Sequence, residues 1–184
     1  MRMRTLGVVM FLIFLTGGVL GYISAKMNPS GVAGDIMSSF GNKVRTINFT
    51  PFSLRSVLLV FINNFTVALL MFLLGITVIL PSIIVFLNGA VAGVVVAFAE
   101  EKGISLLLAV LAMIPHGIFE LSAFFLSASY GTMLGIAFWR KIFGKGGDLF
   151  SLAVKMPFYI AFAAVLLITA AFIEVFISPL VFAV

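Results

Sequence analysis

The sequence predicts an all-α fold, a polytopic transmembrane bundle of five spans within a single domain covering residues 1–184. Three observations predict it. Hydrophobic residues make up 63% of the chain and charged residues only 9%, against ~45–50% and ~25% in a soluble domain. Mean hydropathy is +1.31. Charge and turn residues interrupt the apolar stretches at roughly the spacing a bilayer demands. A folded surface with so few charges cannot be kept wet, so lipid must cover it. Disorder is excluded, because disordered chains are poor in apolar residues and rich in charge. There is no cysteine, which excludes disulfides, zinc-thiolate sites and thiol nucleophiles. Glutamine is missing as well, a depletion that fits a hot habitat. The net charge of +5 would raise nucleic acid as a partner of a soluble protein. Here the Lys and Arg residues sit near the ends of apolar segments, where they anchor and orient spans, so the expected partner is membrane lipid and not nucleic acid.

Span one runs from Thr5 to Ala25 behind a basic start, Arg2 and Arg4. Its apolar run exceeds the ~7–15 residues of a signal-peptide core, and Ile23-Ser24-Ala25 is a poor cleavage site, so it reads as an uncleaved helix. Asn28 to Arg55 is the longest polar stretch. Pro29, Gly31, Gly34 and Gly41 argue against a long helix there. Val32, Ile36 and Phe40 recur every fourth residue, enough for one short amphipathic turn on the membrane surface. Asn48-Phe49-Thr50 matches a glycosylation sequon. Thr50-Pro51 reads as an N-cap with proline at the first helical position, which starts span two (51–74). A tight apolar turn follows, and Pro81 opens span three (81–99).

The stretch from Ile104 to Phe138 carries only one charge, Glu120. As one helix it would be ~52 Å long, against a hydrocarbon core of ~30 Å. It must bend, break or project, and Pro115-His116-Gly117 is the expected break in span four (104–139). Trp139-Arg140-Lys141 marks the next interface. Span five (155–178) begins near Lys155 and runs past Glu174. The basic doublets Arg2/Arg4 and Arg140/Lys141 favour a cytoplasmic N-terminus in a multi-pass cell-membrane protein.

Three glycine pairs, Gly17/Gly21, Gly89/Gly93 and Gly131/Gly135, clear grooves where another backbone can approach. Packing within the chain is the expected use, with a homodimer seam as the alternative. Polar residues also fall inside the spans: Asn63, Asn64, Asn88, His116 and Glu120. Each is costly in hydrocarbon unless a partner satisfies it. His116 and Glu120 lie four apart, about 40° around a helix, and Ser127 and Gly131 continue their stripe. These five polar residues are expected to form one connected cluster, with Glu120 touching His116 or an asparagine. Mutual satisfaction as helix glue is the bland reading. Glu174, near the end of its helix, reads as structural.

No enzyme motif appears. The H-E-x-x-H zinc motif, the G-x-S-x-G elbow, a phosphate loop and a dinucleotide fingerprint are all absent. His116 and Glu120 are two ligands where zinc wants three or four, so no metal and no cofactor are expected.

Phe61-Ile62-Asn63-Asn64, then Leu87-Asn88-Gly89 with Gly93, then Ile114-Pro115-His116-Gly117-Ile118-Phe119-Glu120-Leu121 resembles the stage II sporulation protein M family. The likeness covers roughly residues 55 to 140 and the five-span layout. Its specific element is P-H-G-x-x-E; the residue after Leu121, often proline in the family, is Ser122 here. The resemblance implies a non-enzymatic membrane scaffold that holds a complex together and localises peptidoglycan-degrading partners during spore engulfment. In that reading the polar loop between residues 26 and 55 docks other proteins. A different reading follows from the polar residues themselves. A small channel or transporter would line a path with Asn63, Asn64, Asn88, His116 and Glu120, and use the carbonyl freed at Pro115.

Overall fold

A computed structural model describes residues 3–47, 50–146 and 148–181. Its helices are α1 (Met3–Met27), α2 (Val32–Ile47), α3 (Leu54–Leu73), α4 (Leu80–Glu101), α5 (Leu106–Ile142), α6 (Leu149–Phe176) and the single turn α7 (Ser178–Val181). No strand occurs among the described residues. Five of the helices, α1 and α3 to α6, are long and apolar enough to cross a membrane.

Two parallel helix pairs organise the bundle. Along α1 the buried positions are Leu6, Met10, Gly17, Gly21 and Ala25. Along α4 they include Pro81, Val85, Gly89, Gly93 and Ala97, one every fourth residue. The two stripes of small residues lie against each other. A Cβ on Gly17 would strike the Phe86 carbonyl, one on Gly21 the Ala90 carbonyl, and one on Gly93 the Gly18 carbonyl. A second seam joins the end of α3, and the 3₁₀ turn Leu74–Thr77 that follows it, to α5. There Gly131 lies against the Met71 carbonyl and Gly135 against that of Gly75, while Gly75 faces the backbone of Gly131. All three expected glycine pairs are therefore filled by the chain's own helices, and Gly75 is a contributor that its place in an apolar turn concealed. The rest of the core is a sealed cluster that includes Met10, Met71, Phe72, Val85, Phe124, Tyr130 and Leu167. Lipid faces the opposite side of α1 through Val8, Leu12, Leu15 and Val19.

Four sequence expectations are corrected. The polar stretch after span one holds more than one turn: α2 runs sixteen residues. Its Ala33, Ile36 and Met37 pack on Ala25, Val94 and Ala97, so tertiary contact overrides the glycines. Thr50-Pro51 does not start α3. Ser53 is the N-cap. Phe52 has φ 60° and donates its N–H to the Val175 carbonyl at 3.1 Å, which takes the chain out of helical geometry. Asn48 and Phe49 of the sequon lie outside the described residues.

The expected break at Pro115 does not occur: α5 continues through it for 37 residues. Proline forfeits a single backbone bond, and membrane helices tolerate it because neighbouring groups re-satisfy what it frees. At ~56 Å the helix carries its excess length as an apolar N-terminal arm, with Leu107, Leu111, Ile114 and Ile118 exposed. Finally, α6 starts six residues before Lys155, where the Asp148 side chain accepts from Ser151 N–H at 3.3 Å. That cap, and not the charge, marks the beginning.

Backbone contact makes the glycines intolerant. Gly93→Ala and Gly135→Ala are expected to cost ~1–3 kcal/mol or more through overpacking, read as a fall of several degrees in detergent melting. Gly7→Ala meets open space and should melt like wild type. Equal melting of all three variants contradicts the packing.

Candidate functional site

Helix α5 places His116 and Glu120 one turn apart, facing the end of α6. There Glu174 stands in the last turn before the helix stops at Phe176. One ligand atom from each of the three side chains lies within 4.8 Å of the other two, and all three residues are half-buried. Among the described residues neither carboxylate accepts a hydrogen bond from a side chain, and neither has a Lys, Arg or His nitrogen within 4.0 Å. The three groups are thus close without being bonded to one another.

The chain end fixes the imidazole. Ile177 caps α6 with its N–H still on the Ile173 carbonyl at 2.8 Å, and Ser178-Pro179 opens α7, since proline can begin a turn but not continue the old one. This junction lays Ser178, 8% exposed, beside the His116 ring, with Oγ 3.2 Å from Nδ1. Ser178 Oγ in turn points at the Ile173 carbonyl at 3.5 Å.

A groove of about 550 Å³ runs between α1, α4 and the first half of α5. Its walls are mostly apolar, with Phe14, Gly18 and Phe124 among them, and Asn88, His116 and Glu120 are its polar points. Tyr22 lines it toward the helix ends. The Tyr22 hydroxyl donates to Glu100 Oε2 at 2.6 Å, and Lys26 Nζ meets the same oxygen at 3.1 Å. This network ties α1 to α4 where both leave the membrane. It is consistent with the small-residue seam below it.

The single cluster expected of Asn63, Asn64, Asn88, His116 and Glu120 separates into three groups. Asn63 donates to Asn64 at 2.9 Å. Asn88 donates to its own Ile84 carbonyl at 2.8 Å. Ser127 bonds back to Ala123 at 2.7 Å. Each finds a partner on its own helix, so none has to reach across. Only Asn88 shares the groove with His116 and Glu120. The expected contact of Glu120 with His116 is a near approach and not a hydrogen bond. Glu174, read from the sequence as structural, belongs to the site. The available signal was that it is the sole acidic residue of its span, the same anomaly that singled out Glu120.

The profile of the family described as Stage II sporulation protein M matches residues 10–179. No curated protein and no solved structure matches the chain.

Grouping of the polar residues is testable by double-mutant cycles on melting. Glu120→Gln and Glu174→Gln should couple by ~0.5–3 kcal/mol, as neighbours do. Glu120→Gln and Asn63→Leu should add within ~0.5 kcal/mol, since they share no partner. Strong coupling of the second pair restores the single cluster and contradicts the division.

Proposed function

The chain belongs to the stage II sporulation protein M family, and from that premise we propose that it is an integral membrane scaffold which organises partner proteins at the membrane. The observation that carries this reading is the sealed core. Met71, Phe72, Phe124, Tyr130 and Leu167 close the bundle between the polar cluster and the α3–α4 turn. Packed this way, the described residues offer solutes no continuous polar route. The glycine faces are also spent internally, which suits a rigid platform.

Docking falls to α2 and its flanks, the region between residues 26 and 55. Helix α2 is held to the bundle by Ala33, Ile36 and Met37. It turns Asp35, Ser38 and Ser39 outward. Five alternating spans put Arg4, Arg140, Lys141 and Lys145 at one end of the bundle and α2 at the other. The positive-inside bias then favours a cytoplasmic N-terminus with α2 on the far side. Catalysis, a resident cofactor and a nucleic-acid partner have no part in this reading.

A channel or transporter is the second reading. The groove that reaches Asn88, His116 and Glu120 favours it, because ionisable groups inside a membrane mark ion or solute sites by default.

Two measurements separate these readings. Reconstituted in liposomes, the scaffold should give no ion flux above protein-free vesicles. In native membranes, a photoreactive residue at Asp35 or Ser39 should form adducts with discrete proteins, whereas one at the lipid-facing Val165 should capture lipid. Flux that Glu120→Gln abolishes, together with no protein adduct from α2, contradicts the scaffold and supports transport.

A further inference from the structure

We propose that Glu120, Glu174 and one imidazole nitrogen of His116 form an intramembrane binding site for a single divalent transition-metal ion, with Ser178 orienting the imidazole. The site stands independently of the scaffold reading.

Geometry is the first argument. The ligand atoms lie within 4.8 Å of one another, yet no side-chain hydrogen bond or ion pair joins them. Two ligands on one ion at ~2.0–2.2 Å each stand ~3–4.4 Å apart. Rotamer adjustments of about an ångström would close the three groups around an ion. They come from two helices, and α5 and α6 are held in register by Tyr130, which donates to the Leu152 carbonyl at 2.7 Å and packs tilted on Tyr159 with ring centroids 4.2 Å apart. Tyr130 thus ties the two helices together at a point away from the three ligands.

Charge is the second. Two carboxylates face each other among apolar residues, and no Lys or Arg comes within ion-pair distance among the described residues. Negative charge in such surroundings needs a counter-charge. A divalent ion cancels two carboxylates and leaves a neutral site, which is what a low-dielectric setting favours.

The third argument is the partner of the histidine. A metal-bound imidazole usually donates its other N–H to an oxygen that fixes its orientation. With its own proton directed at the Ile173 carbonyl at 3.5 Å, Ser178 Oγ is free to accept an Nδ1–H of His116 at 3.2 Å. In that tautomer the Nε2 lone pair is left for a metal.

Donor chemistry narrows the ion. One imidazole and two carboxylates suit Mn²⁺, Fe²⁺ or Zn²⁺. Ca²⁺ wants six to eight oxygens, more than the site supplies. The groove beside His116 and Glu120 leaves room for water or a solute in the remaining coordination positions.

The test uses the full chain in detergent micelles, stripped with chelator and titrated with ZnCl₂ by calorimetry and with MnCl₂ by electron paramagnetic resonance. One ion per chain should bind, and pulsed resonance of bound Mn²⁺ should show coupling to an imidazole nitrogen. Glu120→Gln and Glu174→Gln, which keep side-chain shape, should each weaken binding by at least ~10-fold, and Ser178→Ala by ~10–100-fold. Asp35→Asn and Glu101→Gln should leave it unchanged, and CaCl₂ should not compete. Absence of nitrogen coupling in wild type overturns the proposal without recourse to any variant. So does uptake that survives Glu120→Gln and Glu174→Gln, which marks adventitious surface metal, or a wild type that takes up protons but neither ion.

Discussion

Helices in hydrocarbon gain nothing from hiding apolar surface from one another, because lipid is as apolar as leucine. What holds them together is close van der Waals contact. In this chain that contact is made backbone to backbone. Gly17 and Gly21 of α1 meet the backbone of Phe86 and Ala90, and Gly89 and Gly93 of α4 meet the backbone of Phe14 and Gly18. Gly131 and Gly135 of α5 meet Met71 and Gly75 in the same manner. Every other feature is placed by these two seams. The Tyr22–Glu100–Lys26 network only forms because α1 and α4 run together to their ends.

The seams also explain where the polar chemistry sits. Bringing α1 hard against α4 leaves the first half of α5 to cross at a distance, and the groove is the space that remains. Locking α5 to the end of α3 fixes the height of His116 and Glu120, and α6 then ends level with them. The junction at Ser178 completes the site by holding the imidazole. A bundle sealed by large side chains on one half and opened to an ionisable triad on the other is asymmetric along the membrane normal. A platform that senses a bound cation and a carrier that moves one would both start from such an arrangement. The sealed half is what separates them.

Much of this was legible in the chain itself. Hydropathy located all five spans, since a run of apolar residues between charges has no other solution in lipid. The four-residue glycine spacing pointed to backbone contact, because only one helix face repeats with that period. What stayed hidden depends on contacts between distant residues. Glu174 is far in sequence from Glu120, and nothing local reveals that α6 ends beside it. Pro115 suggested a break by local rules, yet the membrane tolerates the loss of one backbone bond. Glycines argued against α2, and packing on Ala25 and Ala97 prevailed. Lys155 drew attention from Asp148, whose capping bond is the physical start of α6.

The central claim is that α1 and α4 touch through their backbones inside the bilayer. An ideal Cβ on Gly93 would lie 2.8 Å from the Gly18 carbonyl carbon, which puts the Gly93 Cα within about 4.3 Å of that carbon. Solid-state magnetic resonance on protein in lipid, with ¹³C at Gly18 C′ and Gly93 Cα alone, measures this distance directly. The account predicts a strong dipolar cross-peak corresponding to less than ~5 Å. A separation near the 8–10 Å of helices packed through side chains would contradict it and remove the basis for the groove and for the site beside it.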